Sequence, residues 1–236
     1  MQAQHPSPAA RRPSFVIGLL GGSFDPIHVG HLQLARDASA QLGLDELRFI
    51  PAGQPWQKGA LSDAAQRAHL VELAIRELPN AVLDMREIER DGPTYTIDTL
   101  RELRAALGAG SALVLLMGGD QFERIDTWRA WERLLDYAHI AVAARNGVLP
   151  QLAAPLRAWH DAHACEPAAL RASAAGGICR FAMTPVDASA TRIRALFAEP
   201  PTPARDAELA RLLPAAVLDY IRRLRLYERR TGSNPS

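Results

Sequence analysis

Residues 18–32 read GLLGGSFDPIHVGHL, and this stretch decides the fold. An apolar run, Phe15–Leu20, stops at Gly21 and Gly22. A continuous apolar run is what a strand needs when both of its faces are covered. Helical spacing begins at Ile27 and carries Leu32, Ala35, Ala38 and Leu42 along one face, and Gly43 ends it. Between strand and helix, His28 and His31 stand three apart with Gly30 between them. Such a pair could be a metal site, a proton relay, a phosphate clamp or two ordinary residues.

The same alternation continues along the chain. Leu47–Pro51 is expected as a second strand, and Ser62 as the N-cap of a helix running to about Leu78. Ala81–Ile88 is a third strand candidate, Thr96–Leu107 a helix stopped by Gly108, and Ala112–Met117 the most apolar strand. A helix over Trp128–Tyr137 and a strand over Ile140–Ala144 follow. Residues 146–177 are Ala-, Pro- and Arg-rich and read as a helix between loops. Phe181–Val186 is expected as the last strand, with closing helices over Ala190–Ala198 and Leu213–Tyr227, the latter with Pro214 in its first turn. The expected class is α/β: a Rossmann-like, doubly wound, mostly parallel sheet with helices on both faces and a small C-terminal helical part. One domain over 15–228 is expected, between a flexible leader (1–14) and a disordered tail (229–236).

Bulk composition narrows the partners. The chain has 236 residues, 48% of them apolar, enough for one α/β domain with a real core. Its formal net charge of +1 gives no global field for nucleic acid or membrane. No apolar run is long enough to span a bilayer, and residues 1–14 lack an apolar signal core. Cys165 and Cys179 are the two cysteines, without CxxC spacing, which fits a reducing cytoplasm.

In an open parallel sheet, ligands bind beyond the carboxyl ends of the strands, where GGSFDPIHVGH lies. Gly21 and Gly22 let backbone approach a ligand, and a helix start favours phosphate. His28 and His31 share one face there, and imidazole can donate to a phosphate oxygen or carry positive charge beside it. The patterns GxxxxGK[ST], GxGxxG and HEXXH are absent from this turn. HDAHAC (160–165) invites a zinc reading but lacks a fourth partner, so surface histidines are expected there.

GGSFDPIHVGHL resembles the HxGH signature of the nucleotidylyltransferase superfamily, in the form found in the bacterial nicotinate mononucleotide adenylyltransferase family. The resemblance extends from about Phe15 to Tyr227. It implies that Gly21, Gly22, Ser23, Phe24, His28 and His31 meet ATP. PAGQPWQK (51–58) is similar to the family's PxxxPPHK loop near the mononucleotide, with Lys58 at the basic position and departures at Trp56 and Gln57. GPTYTIDTL (92–100) resembles GPSYTxDTL, which implies that Tyr95 and Thr96 meet the pyridine carboxylate; Thr94 or Thr96 could cap that helix. In GGDQFERIDTWRAWERLL (118–135), Asp120 resembles the family's aspartate beside ATP, and Trp128 the tryptophan that stacks on the pyridine ring. Trp131 is expected in the core. Arg145 resembles an arginine near the substrate phosphate. DASATRIR (187–194) resembles ISSTxIR, which implies phosphate contacts for Ser189, Thr191 and Arg194, with departures at Ala188 and Ala190.

What the resemblance implies is adenylyl transfer from ATP to nicotinate mononucleotide in NAD biosynthesis. His28, His31 and Arg194 would be catalytic, and Mg²⁺ would be held by phosphate and water, with no protein ligand. Nicotinamide mononucleotide or phosphopantetheine are alternative acceptors. A non-catalytic nucleotide-binding regulatory module is the alternative of another class.

Overall fold

The structure is a computed structural model that describes residues 13–54, 61–145 and 152–228. The leader and tail expected at the chain ends, and the loop residues Trp56, Gln57 and Lys58, lie almost wholly or wholly outside the described residues.

Among the described residues, six parallel strands form one sheet: β1 (Phe15–Gly22), β2 (Glu46–Pro51), β3 (Ala81–Leu83), β4 (Ser111–Gly118), β5 (His139–Arg145) and β6 (Ile178–Met183). Their order is β3-β2-β1-β4-β5-β6, the doubly wound order in which the chain reverses direction across the sheet between β1 and β4. Register follows from alternation, since successive side chains of a strand face opposite sides. Val16 and Leu20 of β1 join Val114 and Leu116 of β4 in one core. Ile17 and Leu19 join Leu113, Leu115 and Met117 in the other.

Helices cover both faces. α1 (Val29–Leu42) and α2 (Ala64–Ile75) lie on the first core with α7 (Ala190–Ala198), α8 (Pro203–Leu212) and α9 (Ala215–Leu224), counting in chain order. The short α3 (Arg86–Glu89) follows β3. On the second core, α4 (Thr96–Leu107) buries Ile97, Leu100 and Leu103 at helical spacing, beside α5 (Gly119–Phe122) and α6 (Ala154–His163). Burying each such side chain stabilises by roughly 1.5–3 kcal/mol.

Several expected boundaries move, each for a local reason. The third strand ends at Leu83, because Asp84 turns to accept from the Arg86 N–H and guanidinium and from Arg48. No α-helix forms over Trp128–Tyr137: Ala130 adopts the left-handed φ of 51°, leaving 3₁₀ turns at Ile125–Thr127 and Trp131–Asp136. The last strand is Ile178–Met183 rather than Phe181–Val186. Asp63, not Ser62, caps α2, accepting from the Gln66 N–H at 3.0 Å. Helix α8, capped by Thr202 with Pro203 in its first turn, was not expected. The final helix spans Ala215–Leu224.

Candidate active site

The β1–α1 turn is held by its own side chains. His28 is the N-cap of α1, and its Nδ1 accepts the Gly30 N–H at 3.2 Å. His31 reaches back, and its Nδ1 accepts the His28 N–H at 3.2 Å. This is a capping box built from imidazoles. A neutral ring whose Nδ1 accepts carries its proton on Nε2, so each of these hydrogen bonds leaves its histidine with an Nε2–H. Their rings lie 3.9 Å apart, centre to centre, at 33°. Gly30 makes room for this: a Cβ there would meet His28 Cε1 and Nδ1 at 3.1 Å.

Of the two roles open to an imidazole here, neutral donor or cation, His28 takes the first. His28 is buried, and desolvation pushes its pKa from 6.5 down to about 4. It is a neutral donor near neutral pH. The Gly30 amide is already used, so imidazole edges rather than that helix N–H are presented to a ligand.

Phe24 supports the turn from below. Its φ is 47°, a costly conformation for a bulky residue, and its ring is buried edge-on to His31 with centroids 5.1 Å apart. What Phe24 can offer a ligand is therefore backbone. The far-end motif docks on the same turn. Ser189 caps α7 by accepting the Arg192 N–H at 3.2 Å. Arg194 donates to the Asp25 carbonyl and to Thr191 Oγ1. Ala188 lies within 3.7 Å of a Cβ placed on Gly30. Residues some 160 positions apart thus meet at one strand end.

A cavity opens beside the turn at the carboxyl ends of β1, β2 and β4. It is lined by Gly21, Gly22 and Ser23 of the turn together with Glu87, Thr94, Thr96, Thr99, Gln121 and Trp128, and His28, His31 and Arg194 are not among its lining residues. Sequence reasoning assigned the glycines to ATP and Thr96 and Trp128 to the mononucleotide; the structure brings the two sets to one cavity. A side chain on Gly21 would meet nothing within 4 Å, so the backbone is open there. Tyr95, at the N-cap position of α4, makes no side-chain cap hydrogen bond, and neither threonine caps that helix. Thr94 Oγ1 is instead buried, close to Glu87 and without a well-formed hydrogen bond among the described residues. Arg129 lies over the Tyr95 ring, 4.7 Å from its centre.

Asp120 is exposed in the first turn after β4, its carboxylate folded back over Gly118, where a Cβ would meet Oδ1 at 2.5 Å. Trp131 is partly buried and packs against the second core, edge-on to Trp159 at 4.9 Å; Trp128 is likewise partly buried against that core. Arg145 ends β5, but its side chain lies outside the described residues. His160 and His163 are half-buried on α6 rather than at the open surface, bonded to Asp161 and to the Trp159 carbonyl. Among the described residues, no three His, Cys, Asp or Glu side chains gather as a metal site would require.

Sequence reasoning missed Glu87 and Thr99. Thr99 Oγ1 donates to Glu87 Oε1 at 2.7 Å, and burial raises the Glu87 pKa against the pull of Thr99 and Arg90. It missed Asp25 and Arg67 as well. Asp25 is buried in the turn and accepts from the Tyr227 hydroxyl at 2.7 Å. The available signal was a charged residue on an apolar stripe: Arg67 shares its face of α2 with Leu70, Val71 and Ala74.

A family model described as cytidylyltransferase-like matches residues 19–196, and fold and site together place the chain in that class of nucleotidyltransferases. Two relatives carry the name "Probable nicotinate-nucleotide adenylyltransferase". The protein from Chromobacterium violaceum is 43% identical over 89% of this chain and 98% of its own length. That from Halorhodospira halophila is 48% identical over 78% of this chain and 85% of its own. The chain belongs to the nicotinate-nucleotide adenylyltransferase family. Among solved structures, the nicotinic acid mononucleotide adenylyltransferase of Plasmodium falciparum, complexed with NaAD, superposes with a TM-score of 0.69. It covers 90% of this chain and 97% of that one at 16% identity, a likeness of fold.

Proposed function

We propose that this enzyme joins nicotinate mononucleotide to the adenylyl group of ATP, giving nicotinate adenine dinucleotide and pyrophosphate, a step of NAD biosynthesis. The observation that carries the reading is one cavity lined both by Gly21, Gly22 and Ser23 at the start of the histidine turn and by Thr96 and Trp128. The mononucleotide's phosphate oxygen attacks the α phosphorus of ATP. One P–O bond forms, the α–β bond breaks, and its electron pair leaves on pyrophosphate. The nucleophile is already an anion, so little general-base help is required. The barrier lies in bringing anions together and in charge on the bridging and leaving oxygens, which positioned donors lower.

His28 and His31 meet that charge as neutral Nε2–H donors, and Arg194 adds a permanent cation with a planar fork of donors. Gly21, Gly22, Ser23 and Phe24 offer backbone along the phosphates, Asp120 takes a ribose hydroxyl, and Ser189 and Thr191 border the phosphate tail. On the other side Trp128 covers the pyridine ring, while Tyr95 and Thr96 face its carboxylate. Lys58 and Arg145 are assigned to the mononucleotide phosphate side on the family motif alone. Mg²⁺ bound with the triphosphate would supply charge neutralisation there. The protein is assigned no ligand to it. The folded unit is taken as one domain over 15–228. No described helix is long and apolar enough to cross a membrane.

One feature favours a second acceptor: Glu87 places a carboxyl on the cavity wall, and a carboxyl can accept from the carboxamide of nicotinamide mononucleotide. The test is pyrophosphate release with Mg-ATP and, separately, nicotinate mononucleotide, nicotinamide mononucleotide and phosphopantetheine. Release with nicotinate mononucleotide at the highest kcat/KM supports the proposal. A higher value with either other acceptor reassigns the substrate, and no release with any of them leaves a binding module.

A further inference from the structure

Arg67 is 1% exposed and heads the fully buried side chains by size among the described residues. It is the fourth residue of α2, on that helix's core face. Burying a guanidinium is costly unless its donors and its charge are both met. Each of its three nitrogens donates, and to backbone. Nε donates to the Ser62 carbonyl at 3.0 Å, Nη1 to the Ser23 carbonyl at 2.8 Å, and Nη2 to the Gly53 carbonyl at 3.0 Å. Burial lowers its pKa, and the charge of Asp25 works against that. Asp25 is tied in turn to the Ser62 N–H and the Tyr227 hydroxyl.

The three carbonyls belong to different walls. Ser23 lies in the histidine turn, on the phosphate side of the cavity. Gly53 follows β2 and presses on the opposite wall: a Cβ there would sit 2.0 Å from the Glu87 carbonyl oxygen. The next residue, Gln54, accepts the Thr94 N–H at 3.1 Å. Glu87 and Thr94 line the side that carries Trp128. One guanidinium therefore spans from the turn to the loop that braces the pyridine wall, without reaching the cavity itself.

We infer that Arg67 is a positioning residue, which sets the spacing between the phosphate and pyridine walls and so the alignment of the two substrates. The inference rests on the proposed two-substrate reaction. A planar fork fixes three carbonyls at once; a lysine ammonium in the same place keeps the charge but not the three fixed directions. Misplacement of reacting groups by about 1 Å costs on the order of 10²-fold in rate.

The test uses the full chain as Arg67→Lys and Arg67→Gln, with thermal melts, kcat, and KM for ATP and for nicotinate mononucleotide. The expected result for Arg67→Lys is a folded enzyme in which both KM values rise together and kcat falls, with kcat/KM down by about tenfold or more. Arg67→Gln, which loses the charge as well, is expected to go further in the same direction. A lower melting temperature with both KM values at wild type would assign Arg67 to stability and overturn the proposal. Failure of both variants to fold would overturn it in the same way. If the wild type shows no turnover, the reaction assignment has failed, and calorimetric Kd values for ATP and the mononucleotide replace KM in the same comparison. Joint weakening then supports the inference, and unchanged affinities refute it.

Discussion

The two walls of the cavity are built in different ways. The side assigned to phosphate is compact in sequence: the eleven residues from Gly21 to His31 hold the cavity-lining Gly21, Gly22 and Ser23 and, beyond the lining, both histidines, while Arg67, Arg194 and Tyr227 dock on this turn from far along the chain. Its side chains are locked to backbone, imidazole on amide and guanidinium on carbonyl. The side assigned to the pyridine ring is assembled from Glu87, Thr94–Thr99 and Gln121–Trp128, three segments that meet only through the fold. It also keeps a buried hydroxyl, Thr94 Oγ1, without a well-formed hydrogen bond among the described residues. A wall whose donors are fixed before substrate arrives suits charge that appears only as the reaction proceeds. A wall of aromatic face and short polar groups suits binding a flat ring.

That contrast can be broken most forcefully at His31. His31→Ala is expected to lower kcat by roughly 10²-fold or more, as loss of one such donor does, while the melting curve shows a folded protein. A folded variant with near-normal turnover would falsify the clamp. Next in size is Arg194→Lys, which keeps the charge but loses the fork held on the Asp25 carbonyl. A fall of about tenfold in kcat/KM for ATP is expected, and an unchanged value would remove Arg194 from the phosphate wall. On the other wall, Trp128→Ala should raise the mononucleotide KM by about tenfold through loss of stacking and buried area. If ATP KM rises instead, Trp128 belongs to the other half.

The smallest effect sharpens the account of His28. Its pKa is depressed in the folded state, so its contribution to stability is fully present above 6.5 and is lost as pH falls toward 4. His28→Asn keeps an N-cap acceptor but does not titrate. Urea unfolding of the wild type and this variant across that interval should show the wild type losing stability more steeply, by up to about 1.4 kcal/mol per pH unit. Parallel curves would mean that His28 is not held neutral by burial.

The contrast also explains what could be read from the chain before its structure. Apolar runs such as Ala112–Met117 and their glycine stops announce a parallel sheet, because both faces of each strand need covering. The turn from Gly21 to His31 is legible because its residues are contiguous and its imidazole–amide contacts are local, although Arg67, Arg194 and Tyr227 reach it from afar. The pyridine wall is legible only where a motif holds two members together, as in Tyr95 and Thr96. Glu87 reads as one more charge on a polar turn until Thr99 and Thr94 are folded against it. The helix over Trp128–Tyr137 failed because nothing in its side-chain pattern marks Ala130 for a left-handed backbone. Charge state was hidden too: spacing shows that two imidazoles are neighbours, whereas only burial shows that His28 is neutral.

The most direct measurement places both walls in one assay: kcat and both KM values for the wild type, His31→Ala and Trp128→Ala with Mg-ATP and nicotinate mononucleotide. A crossed pattern is expected. His31→Ala should lose kcat with its mononucleotide KM within about threefold of wild type, and Trp128→Ala should raise that KM with kcat within about the same margin. The same parameter moving in both variants would contradict a division of labour between the walls.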